Sequence, residues 1–179
     1  MRILSVLFTF ILLVALAGCQ SAPPAEPPAP AAKAYANLAQ LMHTLPFPNA
    51  NIIFDTQSKD PEAAKEGAAD TGAGATAQYG SLYGGWKGVE DSSMAMAETA
   101  NLLLIPGRLC ENGMPVPVDR EDFKKFVQGL VEAGQAAYKA AQTKNMDAMV
   151  EVSGTVSDAC LACHEVYRDQ PGGKQRCTP

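Results

Sequence analysis

The fold of this 179-residue chain is decided by residues 145–168, which read NMDAMVEVSGTVSDACLACHEVYR. Apolar residues recur there at steps of three and four, which is the spacing of one face of an α-helix. The residues on that face are Met149, Val152, Val156, Cys160, Cys163 and Tyr167. Because an amphipathic helix buries its apolar face against other elements, the stretch predicts a fold built from packed helices.

The end of this stretch contains a C-x-x-C-H motif, formed by Cys160, Cys163 and His164. The motif is the signature of covalent c-type haem attachment. Two thiols three residues apart on a helix project to one side, so each can form a thioether with one vinyl group of the porphyrin. His164 lies one turn beyond Cys160, and its imidazole is then the proximal ligand of the iron. The motif therefore predicts one covalently bound haem c.

Two other uses of the cysteine pair fit the sequence less well. A thioredoxin-type redox C-x-x-C requires a βαβ setting, and the sequence shows none. A structural zinc site requires a fourth ligand, and neither His43 nor the two distant cysteines have the necessary spacing. Haem attachment is the interpretation that the motif favours.

Three further segments carry helical periodicity, at residues 33–45, 85–105 and 119–142. Pro46 and Pro48 are expected to end the first helix, and Asp119 is expected to cap the third, with Asp122 three residues on. Residues 57–79, rich in small and charged residues, are expected to form an exposed insertion. Four amphipathic helices with almost no strand-like alternation predict an all-α protein, with an antiparallel four-helix bundle over residues 33–179. The three apolar faces are predicted to be Tyr35, Leu38, Leu41, Met42 and Leu45; then Trp86, Val89, Ser93, Met96, Ala100 and Leu103; then Phe123, Phe126, Val127, Leu130, Gly134, Ala137 and Ala141.

The N-terminus carries an export signal. Residues 1–18 begin with a positive charge and continue with an apolar run shorter than the ~20 residues that a bilayer-crossing helix needs. Leu-Ala-Gly directly before Cys19 resembles the bacterial lipobox, in which that cysteine is acylated; the alternative is a conventional signal peptide cleaved near Ala17. Residues 19–32 are then the lipidated cysteine and a Pro-rich linker. We expect a lipid-anchored protein on the periplasmic side of a bacterial membrane.

Charge and motif content exclude several classes of function. The chain has 14 Lys and Arg against 19 Asp and Glu, a net charge of −5, and nucleic acid is not expected as a partner. The sequence shows no nucleophile–base constellation, no phosphate-binding Gly-rich loop and no H-E-x-x-H, so we expect no enzyme. The expected partners are redox proteins and, through the lipid anchor, a membrane.

Two of the five cysteines remain after lipidation and haem attachment, namely Cys110 and Cys177. Outside the cytoplasm an even remainder suggests a disulfide. Cys110 lies in the loop before the third predicted helix and Cys177 in the tail after the fourth, two places that meet at one end of an up-down bundle. The alternative is a pair of free thiols.

The ending C-x-x-C-H-x-x-Y-R, residues 160–168, resembles that of class II cytochromes c, the cytochrome c′ and c556 group. The resemblance implies a bundle that holds haem near its C-terminal helix and covers the other haem face with its first helix. It also implies that Arg168 lies beside the proximal side or a haem propionate and that Tyr167 packs against the bundle. A homodimer is a further implication. The long insertion and the cysteine-containing loop and tail depart from the family's pattern.

The residue that the first helix presents to the iron divides this family by function. A methionine there resembles the low-spin electron carriers, and an apolar residue resembles the five-coordinate, gas-binding cytochromes c′. The first helix offers Met42 on its apolar side and His43 towards the edge of that side. Adjacent helical residues point about 100° apart, so only one of the two can face the haem. Met42 as a ligand or as core filling, and His43 as a ligand or as a surface residue, are alternatives at this point.

Three functions follow from these readings. The first is an electron carrier with His164/Met42 ligation, which cycles between Fe(III) and Fe(II) outside the cytoplasm. The second is a haem protein that binds NO or CO at an open or displaceable site. The third is a structural lipoprotein in which the C-x-x-C-H motif is incidental.

Overall fold

The computed structural model describes residues 31–63, 84–168 and 176–178. Within these ranges five α-helices have both ends in view: α1 (Leu38–Thr44), α2 (Pro46–Asp55), α3 (Gly85–Ala100), α4 (Glu121–Gln142) and α5 (Met146–Tyr167). The same residues contain no strand, only an isolated bridge between Leu109 and Pro115. The prediction of an all-α protein is confirmed. The signal at residues 1–18, Cys19, the linker up to residue 30 and residues 64–83 of the predicted insertion lie outside the described residues.

The first predicted helix is wrong in its bounds. Its N-terminus is set by Asn37, whose side chain accepts a hydrogen bond from the Gln40 N–H at 2.8 Å, while the Gln40 side chain accepts one from the Asn37 N–H at 2.9 Å. This capping box starts α1 at Leu38 rather than at residue 33. Tyr35 precedes the helix and is 91% exposed, so it is not part of the buried face.

Pro46 and Pro48 do not end helical structure, as the sequence had suggested. The chain breaks at Leu45 and a second helix begins immediately, with Pro46 at its first position. Proline is well suited to that position because its missing N–H has no partner in the first helical turn and its φ is already helical. The residue that this helix buries most deeply is Ile53, which is fully inaccessible to solvent.

The apolar faces predicted for the longer helices are confirmed. Along α3 and the 3-10 helix that follows it, Asn101–Leu104, all six predicted residues are buried. On α4 every predicted residue is buried except Phe126, which is half-buried. On α5 the aliphatic residues and Tyr167 are buried, whereas Cys160 and Cys163 are half-buried at the edge of the core.

The predicted cap of α4 is wrong. Arg120, not Asp119, is the N-cap residue, and no side-chain hydrogen bond caps the helix there. The carboxylate of Asp122 instead accepts from its neighbour's N–H, that of Phe123, at 2.9 Å. The cap of α5 is Asn145, whose side chain accepts from the Ala148 N–H at 3.1 Å.

The core lies between the helices of the compact unit that begins at Ala32. Helix α4 packs against both α3 and α5, and α2 packs against α3 and also contacts α5. The α3–α4 contact is close because a Cβ at Gly134 would lie 2.8 Å from the backbone nitrogen of Ala97. Among the described residues, none of the helices has both the length and the apolar content that crossing a bilayer requires.

Candidate haem-binding site

Helix α5 carries the C-x-x-C-H motif in its last two turns. Cys160, Cys163 and His164 are all half-buried, and the two cysteines pack against the apolar core of the unit. Leu161, between the cysteines, is exposed. The helix therefore presents the two thiols along the border between core and solvent, which is where a group attached to both would cover apolar surface.

The local environment keeps both thiols protonated. Burial raises the pKa of the Cys163 thiol to about 11, and the negative charges of Cys160 and Asp122 act in the same direction. Burial also raises the pKa of the Cys160 thiol, against the opposing effect of the Arg168 guanidinium. Arg168 therefore lies within electrostatic reach of one attachment residue, as the resemblance to class II cytochromes c implied for the proximal side.

Tyr167 anchors the end of α5 to the start of α4. Its ring meets the rings of Phe123 and Phe126 edge-on, with centroids 5.3 and 6.2 Å apart. Its hydroxyl accepts a hydrogen bond from Nε of Arg120 at 3.0 Å. Tyr167 is buried, as the resemblance to class II cytochromes c implied.

The Arg120 guanidinium also forms two hydrogen bonds to the Asp122 carboxylate, at 3.0 and 2.9 Å. This contact holds the pKa of Asp122 at about 2, below its ordinary value. The sequence pointed to Asp122 only as a helix-capping residue, and it gave no signal for Arg120, because 47 residues separate Arg120 from Tyr167. The ion pair lies at the end of the bundle that carries the C-x-x-C-H motif.

The structure joins Cys110 and Cys177 in a disulfide, with their Cα atoms 6.5 Å apart. Both cysteines are buried. The backbone N–H of Cys177 donates to the carbonyl of Tyr167 at 2.9 Å. The disulfide therefore attaches the loop between α3 and α4 to the chain segment that lies on the last turn of α5.

Met42 and His43 differ in their exposure. Met42 is half-buried and packs against the apolar core, together with Leu38 and Leu45 of the same segment. His43 is exposed, and its ring lies edge-on to that of Phe47 with centroids 6.3 Å apart. The thioether is thus on the core side of α1 and the imidazole on the solvent side.

A surface cavity of about 650 Å³ lies over the exposed side of α1. Tyr35, Gln40, His43 and Glu111 are among the residues that line it, whereas Met42 and the C-x-x-C-H residues do not. We therefore do not assign this cavity to the haem.

The residues present are those that a c-type haem requires. Cys160 and Cys163 are free thiols on one helix, and each supplies an S–H that can add across a vinyl group to leave a thioether. Half-buried apolar side chains border the core beside them, among them Leu38, Leu45, Phe54, Phe126 and Ala159. Within the part of the chain that the structure describes, no three His, Cys, Asp or Glu side chains form a metal-binding cluster. The donor set matches a porphyrin held by two thioethers and one imidazole.

Residues 116–168 match the family model described as Cytochrome C′, and the match confirms the recognition of a class II cytochrome c. The matched segment contains α4, α5 and the whole C-x-x-C-H motif. The match supports a haem cytochrome, implies haem c as its cofactor and suggests an electron-carrying or ligand-binding protein rather than a classical enzyme. Proteins of this family are typically periplasmic. The comparisons with curated proteins and with solved structures gave no match.

Proposed function

We propose that the protein is a monohaem c-type cytochrome that carries single electrons outside the cytoplasm. The observation that carries this proposal is the C-x-x-C-H motif at the end of α5, whose half-buried thiols lie at the border of the apolar core inside the Cytochrome C′ match. When bound, haem c supplies a one-electron Fe(III)/Fe(II) couple. The protein holds that group in place and controls what reaches it.

Three residues of α5 would hold the haem. Cys160 and Cys163 form the thioethers, and His164 is the proximal ligand. Arg168, which is exposed and within electrostatic reach of Cys160, favours negative charge nearby and is suited to a haem propionate. The other described haem-side residues are apolar, and an apolar shell raises the reduction potential by disfavouring the more highly charged ferric form.

The helices support an antiparallel four-helix bundle as the holding architecture. Helices α4 and α5 are joined by the three residues 143–145, a connection short enough to make them antiparallel neighbours. We infer that α1 and α2 together take the place of the first helix of the bundle, broken at Leu45. The mixed burial of this broken pair, with Ile53 in the core and His43 in solvent, fits that assignment.

Met42 is the distal ligand in this proposal. Its thioether lies on the core side of α1, and a soft sulfur donor is compatible with an apolar pocket. His43 is exposed and pairs with Phe47, which favours the reading of a surface residue.

A second candidate function is reversible binding of NO or CO at the distal position. One observation favours it: α1 is only seven residues long and ends at Leu45, so the segment that carries Met42 has little helical stability of its own. A ligand on such a segment is displaced more readily than one on a long helix.

The proposed location rests on the N-terminal sequence and the disulfide. Residues 1–18 are an export signal and Cys19 the acylated N-terminus of a protein anchored to a membrane surface, with residues 20–32 as the linker. A disulfide between Cys110 and Cys177 is expected in an oxidising compartment outside the cytoplasm.

The proposal is tested by mass spectrometry and absorption spectroscopy of protein matured in a host that attaches c-type haem. We expect a covalent mass increase of one haem and a low-spin spectrum, with the weak long-wavelength band typical of thioether ligation in the ferric state. Cys160→Ser combined with Cys163→Ser removes the covalent mass, whereas Cys110→Ser combined with Cys177→Ser leaves it in place. A mature wild-type protein of unmodified mass and without a Soret band contradicts the proposal, and a high-spin spectrum favours the gas-binding alternative.

A further inference from the structure

We propose that residues 108–116, here called the clamp loop, tie the start of α1 to the end of α5, and that Arg108 and the Cys110–Cys177 disulfide are positioning residues for the distal side of the haem. This inference rests on the proposed function, because it concerns how the protein controls the sixth position of the same haem. It assigns a role to the loop and tail that depart from the family's pattern.

The clamp loop holds α1 by two hydrogen bonds. The carbonyl of Leu109 accepts from the N–H of Leu38, the first residue of the helix, at 2.8 Å. One terminal nitrogen of the Arg108 guanidinium donates to the carbonyl of Ala36 at 2.6 Å, and the other donates to the carbonyl of Leu102 at 2.9 Å. The start of α1 is thereby joined to the loop and to the end of the 3-10 helix after α3.

Arg108 is unusual among the charged residues because it is only 4% exposed. Burial lowers its pKa, and its Nε has no hydrogen-bond partner within the described part of the chain. A buried guanidinium with two carbonyl partners is costly to place compared with an apolar side chain. Its planar fork, however, can reach two carbonyls on two separate segments at once, and an ammonium group cannot reproduce that geometry.

The clamp loop holds the end of α5 through the tail at residues 176–178. The disulfide joins Cys110 to Cys177, whose N–H donates to the carbonyl of Tyr167. The side chain of Asn112 donates to the carbonyl of Arg176 at 3.1 Å, and Arg176 forms an ion pair with Glu111. Three different contacts therefore attach the loop to the segment that lies on the last turn of the proposed haem helix.

The loop is itself a tight, hydrogen-bonded turn. The N–H of Cys110 donates to the carbonyl of Met114 at 2.8 Å, and the N–H of Val116 donates to the carbonyl of Arg108 at 2.9 Å. Gly113 has a φ of +82°, a left-handed conformation that glycine adopts without strain. Because the turn is braced internally, a displacement at one end is transmitted to the other.

Helix α1 depends on such external contacts. A helix of seven residues is not stable in isolation, so its position is set by what holds its ends and its apolar face. Met42 lies one turn beyond Leu38, the residue bonded to the clamp loop. Loosening the clamp therefore allows α1, and with it the proposed distal thioether, to move away from the haem.

The experiment compares CO affinity and the low-spin fraction in haem-loaded full-length protein. The first variant combines Cys110→Ser with Cys177→Ser. The second, Arg108→Met, leaves the disulfide intact but removes the bonds to Ala36 and Leu102. Both are expected to tighten CO binding by the ferrous protein on the order of fivefold or more and to lower the low-spin fraction. Arg108→Lys, which can reach only one carbonyl, is expected to give a smaller change.

The matched control is Ala137→Gly, which weakens the buried face of α4 at a site 14 residues beyond Phe123, about 21 Å along the helix. It is expected to lower thermal stability while leaving the CO affinity and the spectrum as in the wild type. Clamp variants with wild-type CO affinity overturn the inference, and so does a control that shifts CO affinity as much as they do. A wild-type protein without a Soret band refutes the proposed function instead, so the two failures are distinguishable.

Discussion

Nε of Arg120 lies 3.0 Å from the hydroxyl oxygen of Tyr167, and the same guanidinium is held by the carboxylate of Asp122. The residue before α4 is thereby fixed to the last residue of α5, three positions beyond His164. Because the Tyr167 ring is also packed on Phe123, the final turn of the proposed haem helix is held by both a polar and an aromatic contact.

Tyr167→Phe separates these two contacts. The substitution keeps the edge-on aromatic packing and removes only the hydroxyl, while Arg120 retains its two bonds to Asp122. We expect the free energy of unfolding to fall by about 1 kcal/mol, the usual net contribution of one hydrogen bond. Tyr167→Ala, which also removes the ring, is expected to cost about 3–5 kcal/mol. Denaturant titration of both variants checks this, and equal losses would show that the hydroxyl dominates the anchor.

The Arg120–Asp122 pair predicts a loss of stability in acid. The folded-state pKa of Asp122 is about 2, below its ordinary value of 3.8, so its contribution is fully present above about pH 4 and disappears as the pH falls towards 2. Asp122→Asn is expected to remove this part of the pH dependence, so that the difference in stability between wild type and variant narrows below pH 4. Thermal unfolding measured from pH 2 to pH 7 tests the prediction. Glu151→Gln, which changes an exposed carboxylate on α5, is the control, and an undiminished difference at pH 2 would contradict the assignment.

Glycines on the helices are expected to respond to alanine in opposite directions. A Cβ at Gly134 would lie 2.8 Å from the nitrogen of Ala97 and 2.9 Å from the carbonyl oxygen of Ser93, so α3 and α4 would have to separate. Gly134→Ala is therefore expected to destabilise the protein by about 1–3 kcal/mol.

Gly129→Ala and Gly154→Ala are the matched controls for that substitution. A Cβ at either position meets no atom within 4 Å, and alanine is expected to stabilise the helix by up to about 1 kcal/mol. Melting temperatures of the three variants decide the matter. A stabilising Gly134→Ala would show that the two helices are not in close contact at this level.

The sequence predicts the long helices well because their burial is periodic. Helix α5 begins and ends within one residue of the stretch 145–168, and the buried faces of α3 and α4 follow the apolar positions. The errors fall where one residue type serves two purposes. Pro46 can stop one helix or begin the next, and only the packing of Ile53 into the core favours a second helix.

The candidate site divides in the same way. The attachment thiols and His164 form a contiguous motif, so local sequence identifies them. Arg108 contacts Ala36 from 72 residues away, and a contact of this kind leaves no pattern in the sequence. Such pairs depend on how the helices are arranged in space, which hydrophobic periodicity constrains only through its buried faces.

Met42→Ala is expected to reveal the identity of the distal ligand. Met42 lies on the core side of α1, so removing its thioether is expected to convert a low-spin haem to high spin and to allow CO to bind the ferrous protein without displacing a protein ligand. His43→Ala is the adjacent control and is expected to leave the spectrum unchanged, because His43 is exposed and packs only edge-on to Phe47. Absorption and CO titration of both variants provide the measurement. Conversion by His43→Ala but not by Met42→Ala would transfer the ligand role to the imidazole. An unchanged high-spin spectrum in wild type and both variants would instead favour a five-coordinate, gas-binding protein.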